Sequence, residues 1–206
     1  MLLPFLSIFI IVTLYISIRT QHSKRAEEEI WDDFWKKEQE ANWTRRQDLS
    51  NLAYIKLPLD VLPLGRYDDE QLRSFEDTLR DLSTKPICNL NGISNTDLKL
   101  RYGAANLSAL TEYDTNYSTL LSLLANYGAR LYELSHRAES KQVLEYALSL
   151  GTDIGKSYEV LAAIYEEEGH PERLAELREA AENIESIRKS SILRKLDARK
   201  EQDIPS

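Results

Sequence analysis

Cysteine is nearly missing from this chain: Cys88 is the only one in 206 residues, which excludes an intramolecular disulfide and any thiolate metal cluster built from one copy. Histidine is scarce too. His22, His136 and His170 lie far apart, and none sits in an H-E-x-x-H pattern or near a second ligand at metal spacing, so no metal is expected. There is no phosphate-binding glycine loop and no G-x-S-x-G elbow, and nothing around Cys88 marks it as a nucleophile. No catalytic residue and no cofactor is therefore assigned. Net positive charge is also lacking. The formal net charge is -8, which argues against nucleic acid as a partner, because phosphate contacts require clustered cations.

What the chain does have is an apolar start. From Leu2 to Ile18 there is no charged side chain, and the stretch lies at the short end of the roughly 17 to 25 residues that cross a bilayer as a helix. Its strongly apolar residues give an insertion free energy on the order of -5 kcal/mol. A cleaved signal is the rival reading, but it needs a basic n-region and a small-residue cleavage site, and neither is present. Residues 1–18 are thus expected to be a transmembrane anchor, with the membrane as one partner. Arg19, Lys24 and Arg25 follow immediately, which by flanking charge places the rest of the chain in the cytoplasm, at the cell membrane.

Residues 19–47 form the next segment, expected to be helical over 24–47. Ile30, Trp31, Phe34 and Trp35 recur at spacings of three and four. Such aromatics either sit at the headgroup boundary or pack on the folded domain or a partner; the second reading is favoured, and it makes Trp31 and Trp35 candidate partner contacts. Over 48–67, Pro58 and Pro63 break any helix, and Tyr54-Ile-Lys-Leu-Pro-Leu-Asp opens an extended apolar strap. Such a strap is costly to expose, so it is expected in a groove of its own domain or of another chain.

Residues 68–200 read as one helical domain, with 201–206 as a tail. A helix over 68–82 carries Leu72, Phe75, Leu79 and Leu82 on one stripe, with Asp68 as its expected N-cap. Another is expected over 95–113 through Leu98, Tyr102, Ala105, Ala109 and Tyr113. The polar cluster Asn89 to Asp97 either caps that helix or lines a site; the cap is the simpler reading. The tyrosines are read as core or groove residues, among them Tyr132 and Tyr165 as candidate partner contacts.

Aligning the chain on itself sets Tyr127-Gly-Ala-Arg-Leu-Tyr opposite Leu161-Ala-Ala-Ile-Tyr-Glu, 34 positions on. Gly128 and Ala162 then stand as small packing residues of first helices, and Ala147 and Ala181 of second ones. Gly151 is placed to end a helix over 138–150, Asp153 to cap the next, and Pro171 to open another at its first position. Over 118–185 this pattern resembles the tetratricopeptide repeat, although Leu174 stands where alanine is usual. The resemblance implies an all-α superhelix of antiparallel hairpins with a surface for a protein or peptide partner. Two such units need flanking helices, and 186–200 supplies a basic one through Ile187, Ile192 and Leu196, read either as a solvated cap facing an acidic neighbour or as a patch for anionic lipid. The cap is favoured.

The whole layout, through Tyr54-Ile-Lys-Leu-Pro-Leu-Asp and Asn95-Thr-Asp-Leu-Lys-Leu-Arg-Tyr-Gly, also resembles a group of uncharacterised single-pass membrane proteins of clostridial-type bacteria. That resemblance implies the same order of anchor, aromatic helix and repeat domain, and brings no activity with it. The expected function is a membrane-tethered interaction scaffold or adaptor. The alternatives are a regulatory subunit or enzyme using the polar region 89–97, and an outward-facing envelope-assembly factor.

Overall fold

The computed structural model describes Arg19 and residues 29–202. Among them the chain is all-helical, its β pairing confined to an isolated antiparallel bridge between Tyr54 and Cys88. In order the helices are α1 (29–43), α2 (Glu70–Ser83), α3 (Asn95–Tyr102), α4 (Leu107–Glu133), α5 (Arg137–Ser149), α6 (Gly155–Glu168), α7 (Pro171–Glu182) and α8 (Lys189–Gln202), with a 3-10 turn over Ala104–Asn106.

The expectation of a transmembrane helix ahead of a superhelix is corrected: no described helix is long and apolar enough to cross a membrane. Only length is available in α4, whose 27 residues include Glu112, Asp114, Arg130 and Glu133, and such charges are costly in hydrocarbon. The span expected over Leu2–Ile18 lies outside the described residues, as does the tail from 203.

The chain divides into two compact units, one formed by residues up to Ser50 with Ile93–Ser108, the other by Asn51–Gly92 with Ala109 onward. In the first, α1 is tied to α3 by polar contacts. Glu38 accepts from Thr96 Oγ1 at 2.7 Å and pairs with Lys99, which also donates to Asn42 Oδ1 at 2.8 Å. The helix expected over 95–113 is broken at Gly103. Its φ of +89° is a left-handed value, and a Cβ there would run into the backbone of Arg45 and Arg46. Buried Asn106 fastens the same crossing: its Nδ2 donates to the carbonyls of Gln47 and Tyr102, both at 2.7 Å, and its Oδ1 accepts from Arg46 Nε at 2.9 Å.

In the second unit, α2 is capped by Asp69 rather than Asp68; the Asp69 carboxylate accepts from Leu72 N–H at 2.9 Å. Leu72, Leu79 and Leu82 are buried as the stripe requires, and so is Glu76, which the stripe does not foresee. Glu76 Oε1 meets the hydroxyl of Tyr127 at 3.1 Å, and that hydroxyl also lies 3.1 Å from the carbonyl of Pro63. The strap is not extended throughout, because residues 58–62 close a turn in which the Val61 and Leu62 N–H groups both donate to the Pro58 carbonyl. It packs in cis. Leu62 is in the core with Leu72, Leu79, Leu124, Tyr127 and Val143, and Ile55, Leu57, Leu59 and Leu64 lean on that core. Burying one leucine contributes roughly 1.5–3 kcal/mol, against about 1–2 kcal/mol to order a residue's backbone. A segment this rich in leucine can therefore stay ordered without regular structure.

Helices α4 to α8 follow as hairpins joined by short turns, with α6 in contact with α5, α7 and α8, and α7 with α8. Small residues lie where α4 meets α5. A Cβ on Gly128 would sit 2.5 Å from both Cγ and Cδ2 of Leu144, and Ser140 Oγ donates to the Gly128 carbonyl at 2.7 Å. Ala147, Ala162 and Ala181 are all buried. Three successive helices end in the same way. His136 N–H donates to Leu131 O and Ser135 N–H to Tyr132 O; Thr152 and Gly151 repeat this at the end of α5, and His170 and Gly169 at the end of α6. The left-handed residue in these Schellman turns is Ser135 (φ 66°), Gly151 (φ 81°) and Gly169 (φ 69°).

Two further expectations are corrected here. Asp153 does not cap α6, whose N-cap is Ile154 without a side-chain bond; its carboxylate instead takes Ser186 Oγ at 2.7 Å and Arg188 at 3.2 Å. Ile187 is 98% exposed, because α8 begins only at Lys189 and buries Ile192. The basic side chains of α8 meet carboxylates of α6, Lys195 with Glu159 and Arg199 with Glu166, both at 2.6 Å.

Two outcomes follow in chemical denaturation. Gly128→Ala is expected to lose about 1–3 kcal/mol by overpacking, and the loss is smaller when Leu144→Ala is also present. Ser135→Gly, which relieves a left-handed serine, is expected to gain about 0.5–1 kcal/mol, and Gly169→Ser to lose a comparable amount.

Candidate functional site

The residues singled out as partner contacts fall into two groups. In the first unit, Ile30, Trp31, Phe34 and Trp35 stay exposed; Trp31 and Trp35 each leave 59% of their surface open, and Phe34 meets both rings edge-on. In the second, Tyr132 and Tyr165 are engaged in structural triads. Tyr132 Oη donates to Glu167 at 2.6 Å, Arg137 lies 4.2 Å over its ring, and Arg137 Nε donates to the same carboxylate at 2.8 Å. One set of contacts so ties α4, α5 and α6. Tyr165 is buried, and both its hydroxyl and the Arg173 guanidinium reach Glu145 Oε1, at 2.8 and 2.7 Å, tying α5, α6 and α7. Burial, then the bond to Glu145, raises the Tyr165 phenol well above its ordinary range, so it stays a donor.

Packing at the second hairpin accounts for an apolar groove in this unit. Moving 34 positions from Gly128 and Ser140 reaches Ala162 and Leu174, so the small pair and hydroxyl bridge of the first hairpin are replaced by larger apolar side chains. Both line a groove of 620 Å³ between α6, α7 and α8. Ala175 and Leu196 complete its apolar floor, and Glu166, Arg178, Glu179, Glu182 and Asp197 surround it. Its volume is within the range of small-ligand and peptide pockets, about 300–1,000 Å³. Arg178 is shared between Glu182 and Asp197 Oδ1, the latter at 2.8 Å. Sequence reasoning missed this site, although the departure at Leu174 from the expected alanine was its signal.

The polar cluster is split between the units. Asn89 Nδ2 donates to Tyr117 Oη at 3.1 Å, and Tyr117 donates in turn to Leu150 O at 2.7 Å, so this part braces α4 against the end of α5. In the other unit Ser94 caps α3, accepting from Asp97 N–H at 3.1 Å, while Asp97 pairs with Lys37 at 2.8 Å. Asn89 and Asn91 do border a cleft of 620 Å³ with Asp153, Tyr158, Asn183 and Ser186, and burial pushes the Tyr158 phenol up to about 12, leaving it neutral. Among the described residues no group of three or more histidine, cysteine, aspartate or glutamate side chains is placed to hold a metal ion. Cys88 is buried, and burial raises its thiol.

The strap's far end is held by charge. Arg130 Nη2 donates to Asp69 Oδ2 at 2.7 Å, and Tyr67 stacks on His136 with ring centroids 3.5 Å apart. The Arg130 bonds first, then the Leu72 N–H, lower the Asp69 carboxyl from 3.8 to about 2. A depressed folded pKa contributes stability above the unfolded value and loses it as pH falls through the folded one. Melting temperature is therefore expected to drop between about pH 4 and pH 2, and Asp69→Asn, less stable at neutral pH, should lose less over that interval. Comparison of the chain with protein-family models, with curated proteins and with solved structures finds no match.

Proposed function

We propose that this chain is a protein-interaction scaffold built on tetratricopeptide-like hairpins, with the groove among α6, α7 and α8 as its docking surface. The observation that carries the reading is an apolar floor, Ala162, Leu174, Ala175 and Leu196, inside a charged rim. Helices joined by short turns and latched by the Tyr132 and Tyr165 triads offer a rigid frame, so binding there costs little reorganisation. The exposed Trp31 and Trp35 provide a second apolar face in the other unit. This reading needs no membrane span.

Affinity capture with the full chain is the test, run in parallel on Leu174→Arg, which puts charge on the groove floor, and on a surface control, Lys156→Ala. Circular dichroism melts first establish that both variants fold. A partner recovered by the wild type and the control but lost from Leu174→Arg is the expected result; identical recovery from all three would sink the proposal.

A further inference from the structure

The groove's rim specifies what can lie in it, provided that the interaction reading above holds. Four carboxylates, Glu166, Glu179, Glu182 and Asp197, surround one lining cation, Arg178. That arginine is already divided between Glu182 and Asp197. Arg199 and Lys195 of α8 are likewise committed to Glu166 and Glu159. Glu179 has no ion pair among the described residues and is exposed. The field over the floor is therefore negative, which repels acidic segments and attracts basic ones.

Backbone chemistry narrows the occupant further. Helices form the groove, and the peptide groups in helix interiors bond within their own helix. An extended segment laid on such an apolar floor would find partners for its N–H and C=O groups only among the rim side chains and water, whereas a helix satisfies them itself. We infer that the groove takes an amphipathic helical segment of a partner protein, with apolar anchors at i, i+3, i+4 and i+7 and lysine or arginine flanking them.

Fluorescence anisotropy with the full chain and three labelled synthetic peptides tests this. One has leucines at the anchor spacing with lysine flanks, the second the same leucines with glutamate flanks, and the third the lysine composition with leucines scattered. Only the first is expected to bind well, with the second roughly 10-fold weaker at low salt and the gap narrowing at high salt, because exposed charges are screened. Glu179→Lys is expected to weaken the lysine peptide by about 5-fold without changing the melt, and Leu174→Arg to abolish binding. Equal affinity for lysine and glutamate flanks overturns the inference while sparing the groove, since Leu174→Arg would still remove both. No binding by any peptide also overturns it; the scaffold reading falls with it only if Leu174→Arg leaves the captured proteins unchanged.

Discussion

The approach of α4 to α5 at Gly128 is the constraint on which the second unit turns. Leu144 occupies the space a side chain would fill, and Ser140 bonds the Gly128 carbonyl across the same contact. With the two helices this close, α5 presents adjoining faces to two cores at once: Val143 and Ala147 enter the cluster shared with the strap and α2, and Leu144 enters the cluster of α6, α7 and α8. A larger residue at 128 would shift α5 and so disturb both. Cores of this density transmit such shifts instead of absorbing them.

A hairpin pair exposes an apolar face at each end, and the two ends are closed by different means. On one side the strap and α2 cover α4 and α5, with Leu62 as the buried plug and the Arg130–Asp69 pair and the Tyr67–His136 stack holding the strap's exit. On the other, α8 lays Ile192 and Leu196 on α6 and α7 and turns its basic side chains toward Glu159 and Glu166. Exposed pairs of this kind contribute little each. They join α8 to α6 beside the groove, whose lining includes Glu166.

Periodicity made the hairpins legible before any coordinates. The 34-residue shift places Ser135 on Gly169 and His136 on His170, and these are the residues of matching Schellman turns. Pro171 opens α7 at its first position for the reason its ring suggests. What escaped were features decided by neighbours distant in sequence. Asp69 and Asp68 are equivalent as local caps, and Arg130, sixty-one residues on, favours the former. The break at Gly103 comes from the backbone of Arg45 passing against it, which no helical pattern reveals. Glu76 is tolerated on an apolar stripe because the Tyr127 hydroxyl and the Arg80 guanidinium meet its carboxylate. Asp153 has the right residue type for a cap, yet Ser186 and Arg188 claim its oxygens.

The groove arises from the same periodicity through its one conspicuous lapse. If position 174 repeated the serine of position 140, a hydroxyl would close the second hairpin as it closes the first, and the floor would lose its leucine from α7. Leucine there cannot make that bond, and its bulk sits beside Ala162 along the opening toward α8. Residues that keep the period build the frame, and the residue that departs from it opens a surface. Since the rim around that surface is mostly carboxylate while Arg178 and Arg199 are already paired, the departure yields a pocket with a sign as well as a shape.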